Sequence, residues 1–494
     1  MIRPARRAPV RRPVPGSLSA LLSRRRVLGL GAGLAVAGLG AGALIRRGAG
    51  AQTPVEGLPL VEPAVRASRD GLLETSLTAR ESRVALAGRT VSSMVYEGSF
   101  PGPTLRVRPG DTLKLRLSNQ LSAPTNLHTH GLHVSPSGNS DNVLLHIHPG
   151  QTFDFQFDIP QNHAAGFNWY HPHLHGEVTE QVFGGMAGAL IVEGDLDALP
   201  GIAGLRERVL VLQATQHDRE GDTVPPSASR AQSQFGRLVN GQLRPLIDIR
   251  PGETQRWRFL NASPNVFFRL HLDGHVLHEI GTDGNTLAEP RARDEILLSP
   301  GERSEVLVRS DGAGRFALRS LDFDGGFSVQ PEVVLATMVS DGAPVAPRPL
   351  PETLLPFFDL RALPVDQKRL ITFQVLPLNR FAPVIPMATF MVDNKLFDMD
   401  RVDQVMRLGS TEEWTVRNGS NNWHPFHIHI NDFQVTRING EPVEARGLKD
   451  TVAIPPFGEM TMRTRFLDFT GKFVFHCHIL QHEDGGMMQV VEVR

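Results

Sequence analysis

The only cysteine of the 494-residue chain lies between two histidines, in His476-Cys477-His478. A lone cysteine cannot form an intramolecular disulfide, and the flanking imidazoles make this one a candidate thiolate ligand for a metal. The segment continues to His482 and Met487, which add a third imidazole and a thioether. Two imidazole nitrogens, a thiolate and a weak axial sulfur are the ligand set of a blue-copper electron-transfer site.

Three other histidine clusters precede this segment. On a β-strand, residues i and i+2 share a face, so each His-x-His pair can present two imidazoles to one site. By the same parity, Cys477 should face away from its two neighbours. The three clusters are His128-Thr129-His130, His171-Pro172-His173 and His424-Pro425-Phe426-His427-Ile428-His429.

Strand parity sorts these side chains into two sites. His424 lies at an odd offset from His427 and His429, so we expect it to join Cys477 and His482, with Met487 as the axial ligand. The remaining eight imidazoles suit a cluster of three coppers. They are His128, His130, His171, His173, His427, His429, His476 and His478.

An internal repeat indicates how the chain positions these residues. A Gly is followed after nine residues by an Asn in Gly110 to Asn119, Gly252 to Asn261 and Gly409 to Asn418. Alternating apolar residues fill each interval, which is typical of half-buried antiparallel strands. The repeat predicts an all-β chain of three tandem cupredoxin-like Greek-key β-sandwiches. The second and fourth histidine clusters align within this repeat, and Pro172 stands where Cys477 stands, so the first unit cannot build a blue site of its own.

The repeat and the composition divide the chain into five segments. The second sandwich lacks a matching set of histidine pairs, and we interpret it as a spacer without copper. The predicted segments are an export signal (1–51), a first sandwich with half of the three-copper site (52–195), a second sandwich (196–343), a proline-rich linker (344–365) and a third sandwich with the blue-copper site and the other half of the three-copper site (366–494).

The predicted signal contains Ser23-Arg24-Arg25-Arg26, an uncharged stretch from Val27 to Ile45, and an Ala49-Gly50-Ala51 cleavage site. This pattern predicts export of the folded protein by the twin-arginine machinery to the periplasm or the exterior. Retention of the stretch as a membrane anchor is the alternative. Removal of residues 1–51 leaves 41 basic and 52 acidic side chains, a net charge of −11. That charge argues against nucleic-acid binding, and we expect a monomer.

The four clusters, in this order, resemble the copper motifs of the multicopper oxidases over nearly all of the chain after the signal. The resemblance implies four coppers: one type 1, one type 2 and a type 3 pair. It also makes two carboxyls, Asp141 and Glu483, candidates for proton delivery. The implied ligands are His424, Cys477, His482 and Met487 for type 1, His128 and His427 for type 2, and His130, His171, His173, His429, His476 and His478 for type 3.

The resemblance implies one-electron oxidation of phenols or aromatic amines, as in laccases, coupled to reduction of dioxygen to water. Oxidation of Cu(I), Mn(II) or Fe(II) in copper homeostasis is the main alternative. Copper-free structural relatives that act in cell division are more remote, because all the candidate copper ligands are present. Simple electron carriers are also more remote, because a carrier needs only the type 1 set and the chain has eight further histidines. Four methionines precede the third cluster, at a loose spacing that favours packing in a β core: Met387, Met391, Met399 and Met406.

Overall fold

The computed structural model describes residues 56–218, 221–224, 236–326, 329–377, 388–444 and 447–494. The predicted export signal lies outside the described residues. The described chain forms successive pairs of packed β-sheets, which confirms the predicted all-β class with three tandem cupredoxin-like sandwiches. Within the described ranges, no helix has the length and apolar character needed to cross a membrane.

The first sandwich packs a sheet of strand order β1-β4-β9-β8-β6 against a sheet of order β3-β2-β5-β7. A short helix, α1 (Val178–Gly184), connects β8 to β9. The strands are β1 (Val65–Ala67), β2 (Leu72–Leu86), β3 (Arg89–Tyr96), β4 (Thr104–Val107), β5 (Thr112–Asn119), β6 (His128–His130), β7 (Thr152–Asp158), β8 (Gly166–His171) and β9 (Gly188–Val192).

The second sandwich follows the short helix α2 (Asp195–Ala198). Its sheets have the orders β11-β10-β13-β18-β15-β16 and β12-β22-β19-β14-β17, and β20 pairs with β21. The strands are β10 (Arg206–Thr215), β11 (Gly236–Val239), β12 (Leu246–Ile249), β13 (Thr254–Asn261), β14 (Phe268–Leu272), β15 (Leu277–Thr282), β16 (Asn285–Arg293), β17 (Ile296–Leu298), β18 (Arg303–Arg309), β19 (Gly314–Leu321), β20 (Phe323–Asp324), β21 (Val329–Gln330) and β22 (Val333–Ser340).

The third sandwich follows a 3-10 turn at Leu360–Ala362. Its sheets have the orders β24-β23-β26-β31-β28-β29 and β25-β33-β32-β27-β30, and helix α3 (Leu480–Asp484) connects β32 to β33. The strands are β23 (Gln367–Pro377), β24 (Ala388–Val392), β25 (Val402–Met406), β26 (Thr411–Asn418), β27 (His424–Ile428), β28 (Phe433–Ile438), β29 (Glu441–Pro442), β30 (Thr451–Ile454), β31 (Glu459–Arg465), β32 (Gly471–Cys477) and β33 (Met488–Val493).

The three sandwiches share one topology. Equivalent strands pair in parallel in each unit, as β2 with β5, β10 with β13 and β23 with β26. A second parallel pairing repeats in the facing sheets, as β4 with β9, β12 with β22 and β25 with β33. The repeat in the sequence is therefore a repeat of the whole strand arrangement. The predicted boundaries between the units remain predictions.

The repeated Asn forms the same corner in every unit. Each repeat begins at a glycine with positive φ, at Gly110 (+89°), Gly252 (+81°) and Gly409 (+82°), a conformation that other residues adopt only with strain. In each unit the Asn side chain donates to two backbone carbonyls and accepts a backbone N–H from the residue two positions on. The corners are Asn119, Asn261 and Asn418. These buried amides hold the end of a central strand to the loop and strand beside it.

Candidate metal centre

The first group of candidate ligands lies inside the third sandwich. The Nδ1 atoms of His424 and His482 are 3.1 Å apart, and the Cys477 Sγ lies 3.3 Å from the first and 3.5 Å from the second. The Ser420 hydroxyl lies 2.7 Å from the His424 Nε2, which turns the Nδ1 towards the thiol. Strand β27, strand β32 and helix α3 supply one ligand each. Parity had predicted that His424 shares a site with the cysteine, and the structure places it there.

The side chains of this site are buried and favour their neutral forms. Burial lowers the pKa of His424 to about 3 and raises the pKa of the Cys477 thiol above its usual range. Met487 is fully buried in the same apolar cluster as Cys477, and its carbonyl accepts the Cys477 N–H at 3.1 Å. The ring of Phe390 stacks on His482 with ring centroids 4.3 Å apart. A cation that binds thiolate strongly would offset the desolvation of this sulfur.

The other eight histidines converge between the first and third sandwiches. The register is the same on both sides: His128 is opposite His171 across β6 and β8, and His427 is opposite His476 across β27 and β32. Rings from the two units stack in pairs with centroids 3.8 Å apart, His128 on His429 and His130 on His427. This crossed stacking is the pseudo-symmetric interface that the repeat predicted.

One trio in this interface has converging nitrogens. The Nε2 atoms of His173, His429 and His476 lie 3.0, 3.1 and 3.2 Å from one another. Imidazole nitrogens this close must share a proton or a cation. A single metal ion between them would accept all three lone pairs.

A second trio comprises His130, His171 and His478, whose ring centroids are 5.0 to 5.9 Å apart. The remaining pair, His128 and His427, has ring centroids 5.8 Å apart. Rings assigned to different groups are equally close, as His128 is to His171 at 5.3 Å, so the division into two trios and one pair remains the prediction from the resemblance.

The unpaired nitrogens fit bound metal ions. Buried polar atoms are nearly always hydrogen-bonded, because burial of a polar atom without a partner lowers the stability of the fold. Burial is also the main cause that lowers the pKa of all eight imidazoles, so each has a lone pair to donate. Unpaired buried nitrogens occur at His128 Nε2, His427 Nε2, His130 Nδ1, His171 Nε2, His429 Nδ1 and both nitrogens of His478.

Asp141 orients one of these imidazoles. Its carboxylate accepts from the His128 Nδ1 at 2.9 Å and from the backbone N–H and hydroxyl of Thr129 at 2.8 and 3.0 Å. The His128 Nε2 is thereby left free to face the cavity. Burial raises the pKa of Asp141 to about 7, against the opposing effect of the Thr129 hydrogen bonds.

Glu483 projects from α3 to the opposite side of the cluster. Its Oε2 lies 3.0 Å from the His476 Nδ1, and its Oε1 lies 3.5 Å from the His173 Nε2. The His476 Nδ1 already donates to the Cys477 carbonyl, and neither side-chain oxygen of Glu483 has a hydrogen-bond partner. Burial raises the pKa of this carboxyl to about 8. A protonated, unpaired carboxyl therefore lies directly beside two candidate ligands.

Sequence reasoning missed two charged residues at the site. Asp450 lies 3.1 Å from the His130 Nε2, and Arg303 of the second sandwich pairs with Asp450 through both of its terminal nitrogens. The repeat contains a signal for Arg303, because this charged residue stands where the third unit has the apolar Met460 and the first has Thr152. In the structure, Arg303 is fully buried.

The other histidines and the methionine run stay apart from these sites. His146 and His148 are exposed, and His175 packs on Phe397 with ring centroids 4.7 Å apart. Met391 and Met406 are buried, and Met406 belongs to the core of the third sandwich, as its spacing predicted. Met399 is half-buried, and Met387 lies outside the described residues.

Known proteins share this arrangement. Family models described as multicopper oxidase match residues 78–197, 211–342 and 367–494. A Campylobacter jejuni multicopper oxidase, titled a metallo-oxidase, is 28% identical with a TM-score of 0.78, over 89% of this chain and 96% of that one. A Pediococcus acidilactici laccase is 28% identical with a TM-score of 0.77, over 90% and 95%. The cell division protein FtsP of Edwardsiella tarda is 30% identical, over 94% and 97%.

Proposed function

Because this chain belongs to the multicopper oxidase family and is an oxidoreductase that uses dioxygen, we propose that its electron donors are phenols or aromatic amines, as in laccases. The single observation that carries the proposal is the pair of adjacent sites linked by His476-Cys477-His478. The thiol belongs to the first site, and both flanking imidazoles belong to the second. Electrons taken singly from a donor thus have a covalent path to the place where dioxygen is reduced.

The residues fit four copper ions. His424, Cys477 and His482 would hold the type 1 copper, with Met487 as a further candidate ligand. Two trios and one pair of imidazoles would hold the remaining three. Bound copper supplies one-electron redox chemistry and the reduction of dioxygen to water. As the resemblance implies, we assign His128 and His427 to type 2, and His130, His171, His478 and His173, His429, His476 to the type 3 pair. The converging nitrogens of the last trio support this assignment.

Protons reach this buried cluster through its carboxyls. Glu483 is protonated near neutral pH and touches the trio that contains His173 and His476. Asp141 lies on the opposite side, hydrogen-bonded to His128. We assign proton delivery to Glu483, because it is the carboxyl whose oxygens are free of other hydrogen bonds.

Aromatic side chains next to the type 1 ligands support an aromatic donor. Phe390 stacks on His482 and is half-buried. Trp423 precedes His424 and packs at 5.5 Å from the ring of Phe323. Flat apolar donors can stack on such rings. In the described part of the chain, the groups of three or more His, Cys, Asp or Glu side chains that converge on one point are all buried and lie at the candidate copper sites.

Oxidation of Cu(I), Mn(II) or Fe(II) is the second candidate, and likeness to the metallo-oxidase of Campylobacter jejuni supports it. The test is oxygen uptake by the copper-loaded protein with a phenol, with Cu(I), with Mn(II) and with Fe(II). We expect the phenol to have the highest kcat/KM, and Phe390→Ala to lower it about 10-fold without changing the rate with a metal ion. A metal-ion rate above the phenol rate would assign the protein to the second candidate.

Likeness to FtsP favours a third candidate, a copper-free role in cell division. The complete ligand set argues against it. Failure of the purified chain to bind copper would decide in its favour. We further propose that the protein is a monomer exported by the twin-arginine machinery. Fractionation of cells that express the intact chain and its Arg24→Lys/Arg25→Lys variant tests the export.

A further inference from the structure

The second sandwich has no copper ligands, but one of its turns lies against the three-copper site. This turn comprises residues 299–303 and leads into β18. We propose that it is a positioning element of the three-copper site, in which Arg303 acts through Asp450 on His130 and His427. The proposal rests on the proposed copper-dependent function and replaces the interpretation of the second sandwich as a mere spacer.

Arg303 is the point at which all three sandwiches meet. Its guanidinium is fully buried and donates to both carboxylate oxygens of Asp450, in the third sandwich, at 2.8 and 2.7 Å. It also donates to the Phe167 carbonyl at 3.0 Å and to the Asn168 Oδ1 at 3.3 Å, both in the first sandwich. A planar guanidinium with fixed donors restricts both partners more than a single point charge would.

Asp450 transfers this restraint to two imidazoles. Its Oδ1 lies 3.1 Å from the His130 Nε2, and its backbone carbonyl accepts from the His427 Nδ1 at 2.9 Å. The Asp450 Oδ1 and the Asp450 carbonyl oxygen are both acceptors, so the His130 Nε2 and the His427 Nδ1 carry the ring protons. The lone pairs are then at the His130 Nδ1 and the His427 Nε2, and these are the nitrogens without a partner in the protein. Arg303 thus acts on the His130 ring through the Asp450 carboxylate and on the His427 ring through the position of the Asp450 backbone. The Thr451 hydroxyl, 3.2 Å from both ring nitrogens, shares this role.

The same turn lies close to a third candidate ligand, His478. Gly301 has a φ of +87°, and a side chain on it would come within 2.8 Å of the Cδ2 and Nε2 atoms of His478. A Cβ on Gly131, which follows His130, would likewise collide with Arg303 and Asn168. The backbones of two sandwiches therefore approach the site as closely as glycine permits. Any side chain on Gly301 would displace the His478 ring.

Arg258 provides a matched control. It is also fully buried in the second sandwich, on the neighbouring strand β13, and pairs with Glu207 and Glu305. Its charged partners are residues outside the copper ligand set. Arg303→Lys and Arg258→Lys each remove a fully buried guanidinium from an ion-pair network of the second sandwich. A purely structural role for Arg303 would make the two variants behave alike.

The experiment compares the full-length copper-loaded protein with Arg303→Lys, Arg258→Lys and Gly301→Ala. Copper per chain, the type 2 copper EPR spectrum, the blue absorption band and thermal unfolding are measured on each. We expect Arg303→Lys to alter the type 2 hyperfine coupling and to weaken copper retention about 10-fold to 100-fold, with the blue band intact. Arg258→Lys should lower the unfolding temperature and leave the EPR spectrum unchanged.

Gly301→Ala keeps the proposal testable if Arg303→Lys does not fold. It should perturb the type 3 pair through His478, seen as a change in near-ultraviolet absorption, and should keep the blue band. An unchanged type 2 spectrum in Arg303→Lys, or the same change in Arg258→Lys, would overturn the proposal. A wild-type protein that binds copper without consuming oxygen contradicts the proposed function alone, because the spectra still test Arg303.

Discussion

Because the Cys477 thiol is buried, formation of its thiolate depends on a bound metal ion. Burial raises the pKa of Cys477 and lowers that of His424, so both side chains favour their neutral forms in the absence of a cation. Copper would convert the thiol into a thiolate and attach it to two imidazoles. In the first sandwich, Pro172 occupies the equivalent position between His171 and His173. The first unit also has Thr125, Glu177 and Val182 where the third has His424, His482 and Met487, so it lacks the whole candidate ligand set.

Cys477→Ser should abolish the blue charge-transfer band and steady-state oxygen uptake, because the thiolate and the covalent electron path are lost. The three-copper cluster should still load, since His476 and His478 keep their positions. Copper analysis and visible absorption measure both effects, with Ser118→Ala, at an exposed pair with Thr152, as the control. Persistence of the blue band would show that the type 1 assignment is wrong.

Glu483→Gln should lower the rate of dioxygen reduction about 100-fold, because the amide cannot supply a proton. Reduction of the blue copper by the donor should be unchanged, since Cys477 and its partners are not altered. Stopped-flow absorption separates these two half-reactions. Glu459→Gln, which alters a surface ion pair with Arg417, is the control. An equal loss in both half-reactions would indicate general damage to the fold instead.

At the scale of elements, strand register decides which ligands meet. His427 lies opposite His476, and Phe426 lies opposite Cys477, so β27 and β32 carry one ligand set on each face. A shift of one residue would exchange the two faces. The Asn corner at the end of each central strand restricts such a shift. In the third sandwich, Asn418 ties β26 to the carbonyl of Ile454 in β30, the strand next to β27.

Asn261→Ala tests the corner without touching a copper ligand. The change leaves the Val266 and Leu298 carbonyls and the Ser263 N–H without their partner, which should cost about 3 kcal/mol of unfolding free energy. Thermal unfolding checks this, and the blue absorption per bound copper should stay constant. Asn139→Ala, at an exposed loop position, should change stability by less than about 0.5 kcal/mol. Equal stability of the two variants would contradict the role of the corner.

At the scale of the molecule, ion pairs bind the sandwiches together. Glu207, at the start of β10 in the second sandwich, pairs with Arg258 of the same unit and with Arg106 of the first. Burial alone would raise the pKa of Glu207, but the charges of Arg258 and Arg106 outweigh it and lower the pKa to about 2. The carboxylate is thus more acidic in the folded protein than its ordinary value of 4.5.

This shift predicts a loss of stability in acid. A carboxyl with a depressed folded pKa stabilises the fold above pH 4.5, and the contribution disappears as the pH falls towards 2. Glu207→Gln should therefore be less stable than wild type at pH 7, with a smaller difference at pH 3. Denaturant unfolding at both pH values measures this, with the exposed Glu81→Gln as control. An equal difference at the two pH values would contradict the assignment to Glu207.

The convergence of the histidine clusters and the repeated fold could be predicted from the sequence, because both follow from local rules. The assignment of each histidine to a copper remains a prediction. Alternation with a period of two residues determines which face of its strand each histidine occupies. The Gly-to-Asn interval marks the central strand of each unit. The charged residues around the site could not be placed in this way. Arg303 and Asp450 lie 147 residues apart in different sandwiches, and no periodicity within one unit relates them. Only the packing of three sandwiches around the eight imidazoles decided that a turn of the second would hold ligands of the first and third.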